Sequence, residues 1–181
     1  MLPSPRVYAT WLGLLRICTG AFWLIHGIPK FTNSDKYMPP NGFMPQVVQK
    51  AMQGGPGPYH DFLANVVTPH IGLFAELVRL GEVVAGLLLF FGLLTRLGGL
   101  IGVVLALNYM ASFGEFTSFQ GWSGLDAAVL GLSAIHFVLP TGKMLGVDGL
   151  LGRGRTRKSP LLTPEFVDEP PLRVPGESTP S

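Results

Sequence analysis

Eighteen consecutive residues without a charge, Leu97 to Gly114, constrain this chain more than any other feature of it. An α-helix rising about 1.5 Å per residue needs roughly 20 apolar residues to cross a hydrocarbon layer about 30 Å thick, and this run is close to that length. Three further runs resemble it. Trp11 to Ile28 holds one Arg, Ile71 to Leu94 holds three charges, and Trp122 to Leu139 holds only Asp126 and His136. Backbone groups left unpaired in lipid are prohibitively costly, so such runs must be helical. The expected fold is all-α: a polytopic membrane protein with a four-transmembrane-helix bundle spanning residues 11–28, 71–94, 97–114 and 122–139. Composition agrees, with 48% of the 181 residues hydrophobic and only 13% charged, against roughly 25% charged in a soluble domain.

Residues 1–7 read as a cytoplasmic N-terminus, residues 8–140 as the transmembrane domain with a long outer loop over 30–70, and residues 141–181 as a cytoplasmic tail. Pro29, Pro69 and Pro140 stand where helix ends are expected, since a missing amide proton costs least there. Thr95-Arg96 leaves room only for a tight hairpin between the second and third spans. The loop carries Met38-Pro-Pro-Asn-Gly and Gly54-Gly-Pro-Gly-Pro around a helix-compatible stretch from Gln46 to Met52, and loops of this length are usually functional. Arg6, Arg96, Lys143, Arg153, Arg155, Arg157 and Lys158 fall on one side of the spans, and Lys30, Lys36 and Lys50 on the other. That imbalance puts both termini in the cytoplasm. The first span, with only Arg6 before it and no small-x-small cleavage site after it, reads as a membrane helix and not a signal peptide. In the tail, the basic cluster Arg153 to Lys158 reads as an anchor at the anionic leaflet, followed by a Pro-rich segment that cannot bury a core.

The single cysteine, Cys18, excludes an internal disulfide, a dithiol pair and a cysteine-ligated cluster within one chain. Inside the first span it reads as a small packing residue. A net charge of +2 and no basic stripe argue against nucleic acid as a partner. Tyr8, Trp11, Trp23 and Trp122 read as interfacial anchors near span ends. His26 and His136 fall too far apart in depth to share an iron, so neither haem nor another metal site is expected.

A charged side chain inside a span costs roughly 2.5 to 3.5 kcal/mol on insertion scales, so those present carry the most information. Arg16, His26, Lys30, Glu76, Arg79, Glu82, Asn108 and Asp126 are the candidate quinone-binding or proton-relay residues. Glu76, Arg79 and Glu82 recur every three residues and make one face of the second span polar, so that face turns away from lipid. Counting from the span ends puts Arg16 and Glu82 at similar depth, and the expected pocket lies between the first two membrane helices. Two outcomes are open for this network: it fixes helix register without chemistry, or it binds a polar head group such as a quinone ring and relays protons.

Three motifs in order resemble the DoxX family. They are Arg16-Ile-x-x-Gly20-x-x-Trp23-x-x-His26-Gly27-x-x-Lys30-Phe31, Glu82-x-x-x-Gly86-Leu-Leu-Leu-x-x-Gly92-Leu-Leu-Thr95-Arg96, and Pro140-x-x-Lys143-x-x-Gly146-x-Asp148-Gly-Leu-Leu. The resemblance implies a four-helix, multi-pass protein of a bacterial or archaeal plasma membrane. Its better understood relatives, the DoxD and DoxA subunits of thiosulfate:quinone oxidoreductase, imply electron transfer to quinone and place Arg16, His26, Lys30, Glu82 and Arg96 at motif positions. On that basis the chain is at most a membrane subunit of a quinone-linked oxidoreductase, quinone being the one cofactor implied. The alternative is a non-catalytic assembly subunit of a larger respiratory or photosynthetic complex. Membrane lipids are expected around it, and protein partners through loop 30–70 and tail 159–181.

Overall fold

The computed structural model describes residues 5–54, 57–114, 123–143 and 146–152. Trp122, the basic cluster at 153–158 and the tail segment 159–181 lie outside the described residues. The described chain is helical, with no strand among its residues. Helix α1 runs Pro5–Thr32, followed by α2 (Ser34–Tyr37), α3 (Phe43–Met52) and α4 (Pro58–Phe62). A π-helical turn, Leu63–Val67, and a 3-10 turn, Thr68–His70, lead into α5 (Ile71–Phe91). Then come α6 (Thr95–Phe113), α7 (Ser123–Val138), a 3-10 turn Thr141–Lys143 and α8 (Val147–Gly152).

Helices α1 and α6 are long and apolar enough to cross a membrane; α7 is a shorter apolar helix. α5 is as long as α6 but carries Glu76, Arg79 and Glu82. Pro29 does not end α1, which continues to Thr32. The Pro29 carbonyl keeps its ordinary helical bond from the Asn33 amide at 2.9 Å and also accepts from the Thr32 hydroxyl and the Asn33 side chain at 3.3 Å, so side chains reinforce the last turn.

The four long helices pack side by side, α5 against α1 and α6, and α7 against α6 and α1. Glycine sets the closest approach. A Cβ at Gly27 would stand 2.9 Å from Glu82 Cβ and from Val83 Cγ2, so only glycine lets α1 lie on α5 there. At the other end α5 stops at Gly92, whose φ of 69° is left-handed backbone and closes the helix through a bond from the Leu93 amide to Leu88 O at 3.0 Å. The core consists of Trp23, Ala85, Leu89, Leu105, Ala106 and Val129. A second apolar cluster, Val48, Leu63 and Val67, joins α3 to the π-helical turn and places the loop helices against α5 and α6.

The polarity of this assembly is inverted relative to a water-soluble bundle. On α5, Leu73, Leu77, Leu80, Val84, Leu87 and Phe91 form an exposed stripe at spacings of three and four, while Glu82 is buried. Arg16, Thr19, Ser133 and His136 are likewise buried polar groups. Trp23, expected at an interface, is instead buried, because it lies on the face shared with Arg16, Thr19 and Gly27. Cys18 faces outward and is exposed; it does not pack in the core.

Candidate functional site

Two separate groups of buried charge occupy opposite ends of the helices. The first surrounds Glu82. Lys30 leaves the last turns of α1 and donates to Glu82 Oε1 at 2.6 Å and to the Tyr109 hydroxyl oxygen at 2.7 Å. The Tyr109 hydroxyl in turn donates to the same Glu82 oxygen. The Lys30 ammonium also stands over the rings of Tyr37 and Tyr109, at 5.1 and 5.2 Å, a cation–π arrangement that offsets part of its desolvation. Burial and the Glu82 charge push the phenol of Tyr37, in the loop, well above its ordinary range. Glu82 Oε2 is buried and has no hydrogen-bond partner among the described residues.

Glu82 is one of the residues lining a chamber of about 200 Å³. Its polar lining is His26, Lys30, Glu82, Tyr109 and Asp126, and Phe22, Trp23 and Phe113 supply aromatic walls. All four long helices contribute, so the chamber is not confined to the first two membrane helices as the sequence suggested. His26 donates from Nδ1 to Phe22 O at 2.9 Å and its ring lies 4.2 Å from that of Phe22, which leaves Nε2 as the nitrogen able to accept. Trp23 Nε1 donates to Ser133 Oγ at 3.3 Å and closes the inner end.

Beyond Tyr109 lies a larger, apolar cavity of about 500 Å³, walled by α5 and α6 and covered by α3, α4 and the π-helical turn. The cover is pinned by Tyr59, whose hydroxyl is 2.8 Å from Ser112 Oγ and donates to Asn108 Oδ1 at 3.2 Å. Burial raises the Tyr59 phenol above its ordinary range. Asn108 therefore serves the cavity and the loop, not the chamber.

Glu76 and Arg79 pair with each other through two hydrogen bonds, the Arg79 Nε bond measuring 2.7 Å. Arg79 Nη1 also donates to Ser34 Oγ at 3.1 Å and to Lys30 O at 3.4 Å, and its guanidinium stacks 4.4 Å from the ring of Phe31. These two residues hold the start of the loop onto α5, beside the chamber without lining it.

The second group surrounds Arg16. Its guanidinium donates from Nη1 to Thr141 O at 3.1 Å and packs against the backbone of Gly92 and Gly146. Asp148 accepts from Leu94 N at 3.0 Å, Thr95 N at 3.3 Å and Thr95 Oγ1 at 3.1 Å, capping α6 from outside, while its own amide donates to Gly92 O at 3.0 Å. The Thr19 hydroxyl gives its one proton to Leu15 O at 2.8 Å. It therefore accepts from His136 Nε2 at 3.2 Å, and His136 Nδ1 accepts from Thr141 Oγ1 at 3.2 Å.

Arg16 and Glu82 are thus both buried but not neighbours. Gly27 faces Glu82, whereas Arg16 faces Gly92; eleven residues along α1 correspond to about 16 Å of depth. The equal-depth expectation fails because it counted from span ends, whereas the glycine contacts fix where the helices cross. Tyr109 and Trp23 were not singled out as site residues, although Trp23 sits seven residues from Lys30 and Arg16 and four from Thr19 on one helical face, a stripe visible in the sequence.

An apolar exterior around buried ionisable chambers defines the class: a helical protein built for a membrane. The chain belongs to the DoxD family, whose model, described as "TQO small subunit DoxD", matches residues 11–161. It is also 25% identical over 142 residues to a Bacillus subtilis (strain 168) protein described as "Putative oxidoreductase CatD", covering 78% of this chain and 87% of that one. No solved structure matches it significantly.

Proposed function

We propose that the chain is a four-span membrane subunit of a quinone-linked oxidoreductase in a bacterial or archaeal plasma membrane, with both termini cytoplasmic and the Glu82 chamber as the seat of the quinone head group. The observation that carries this reading is Glu82 Oε2. An unmet buried acceptor costs about 1–3 kcal/mol, more when charged, so this unpartnered oxygen on a chamber-lining residue suits the hydroxyl of a quinol and, once protonated, donates to a quinone carbonyl. Arg96 and Lys143 lie at the end of Arg16, and Lys30, Lys36 and Lys50 at the end of the chamber, which supports a chamber on the outer side. The family description and the oxidoreductase relative support the redox reading and a large subunit as protein partner.

A quinone, when bound, takes two electrons and two protons to become a quinol, the electrons coming from a donor held by the partner subunit. This chain's residues do the rest. Lys30 and Tyr109 engage one oxygen of Glu82, which leaves Oε2 as the carboxyl oxygen that gives a proton to the head group as it is reduced and is then reprotonated. His26 Nε2 and Asp126 stand at the same chamber and bring protons to it from the outer aqueous face. Phe22 and Trp23 exclude water from the ring. Arg16, Glu76 and Arg79 position helices and loop, and Asn108 holds the cover.

The competing assembly-subunit reading loses part of its footing in loop 30–70, whose α3 and α4 spend their inner faces covering the apolar cavity. The test is extraction of the protein in mild detergent followed by analysis of its lipophilic small molecules. Quinone should co-purify with the wild type and be lost on Glu82→Gln. Absence of quinone from the wild type, together with unchanged turnover of the native complex carrying Glu82→Gln and His26→Ala, would overturn the proposal in favour of the assembly role.

A further inference from the structure

We infer that the 500 Å³ cavity beyond Tyr109 is the site of the quinone's isoprenoid tail, admitted sideways from the bilayer; this rests on the quinone reading of the chamber. Three observations join the two spaces. Tyr109 lines both, and its hydroxyl donates to Glu82. The cavity has a size typical of ligand pockets, about 300 to 1,000 Å³, and a lining dominated by aliphatic and aromatic side chains. Its rim includes Leu77, Leu100 and Val104, which are 54%, 40% and 58% exposed and belong to the outward stripes of α5 and α6. A mouth lined this way opens onto lipid, not water.

The distribution of unmet polar atoms separates head from tail. The chamber holds the orphaned Glu82 oxygen, whereas no buried polar side-chain atom of the cavity lining is unpartnered among the described residues. Tyr59 and Ser112 are already spent on each other and on Asn108. An apolar void of this kind stays dry and takes an apolar guest. Gly81 lines the cavity, and a Cβ there would meet Leu105 at 3.5 Å, an ordinary contact, so a side chain can be placed in this wall without disturbing helix approach.

The experiment compares a tail-less benzoquinone with the same ring carrying an isoprenoid chain, binding to the full-length protein in nanodiscs, read by quenching of tryptophan fluorescence with Trp23 in the chamber wall. Gly81→Leu fills the cavity, and Val104→Phe narrows its mouth at an exposed position where folding is not at stake. The tailed quinone should lose at least about tenfold in affinity in both variants, about 1.4 kcal/mol, while the tail-less one binds as to the wild type. Unchanged binding of the tailed quinone in both variants overturns the tail site and leaves the chamber standing. A phospholipid that co-purifies with wild type and vanishes in Gly81→Leu, with quinone affinity untouched, overturns it in favour of a structural lipid. Failure of both quinones to bind the wild type overturns the chamber reading beneath it.

Discussion

Both ends of the molecule bury charge among apolar helices, but they dispose of it differently. Around Arg16 the partners are backbone and short side chains: Thr141 O receives the guanidinium, and Asp148 takes three donors from the start of α6. Around Glu82 the partners are long side chains from α1 and α6, one carboxylate oxygen has no partner among the described residues, and the residue lines a chamber. A buried charge is therefore not in itself a sign of chemistry. The first arrangement ties α8 and the 3-10 turn before it to α1 and to the turn between α5 and α6, and so locks the helices together. The second holds an acceptor ready.

The contrast can be broken first at the lock. Arg16→Met removes a buried cation whose partners then stay buried, a change worth about 3–5 kcal/mol. Thermal unfolding in detergent should show the largest loss of any single substitution here, with quinone affinity of the folded fraction preserved; lost affinity with unchanged stability would invert the assignment. At the chamber, Lys30→Met and Glu82→Gln should each destabilise the protein, because each strands the other's charge, while the double variant regains much of that loss. Quinone binding should fall at least tenfold wherever Glu82 is changed, including in the stable double variant. Asp148→Ala removes an acceptor from the N-terminus of α6 and should cost about 1–2 kcal/mol without altering quinone binding. The smallest effect belongs to Tyr59→Phe, which loses the bonds to Ser112 and Asn108 and should cost about 1 kcal/mol, seen as faster amide exchange in α3 and α4 with α5 and α6 unchanged.

Much of this contrast was legible in the residues alone. Charges inside apolar runs had to face inward, so the burial of Arg16 and Glu82 and the sharing of one helix by Glu76, Arg79 and Glu82 follow from spacing. What spacing could not give was the register between helices. A 3.6-residue period says which face of α1 meets α5 but not which residue meets which, and the answer came from Gly27 against Glu82 and Arg16 against Gly92. For the same reason Lys30, two residues past the expected span end, turned out to be the partner of Glu82. Tyr109 escaped notice because a tyrosine in an apolar run looks like packing until a carboxylate is found opposite its hydroxyl. Tyr59 lies in a loop whose fold onto α6 no local pattern announces.

The claim on which the rest depends is that Glu82 meets the quinone. Infrared difference spectra of quinone binding to the purified protein report it most directly, since a carboxyl group engaged by the ligand shifts its own bands. The account predicts a carboxyl signal in the wild type that persists in Glu76→Gln and disappears in Glu82→Gln. The same signal surviving in Glu82→Gln would contradict it.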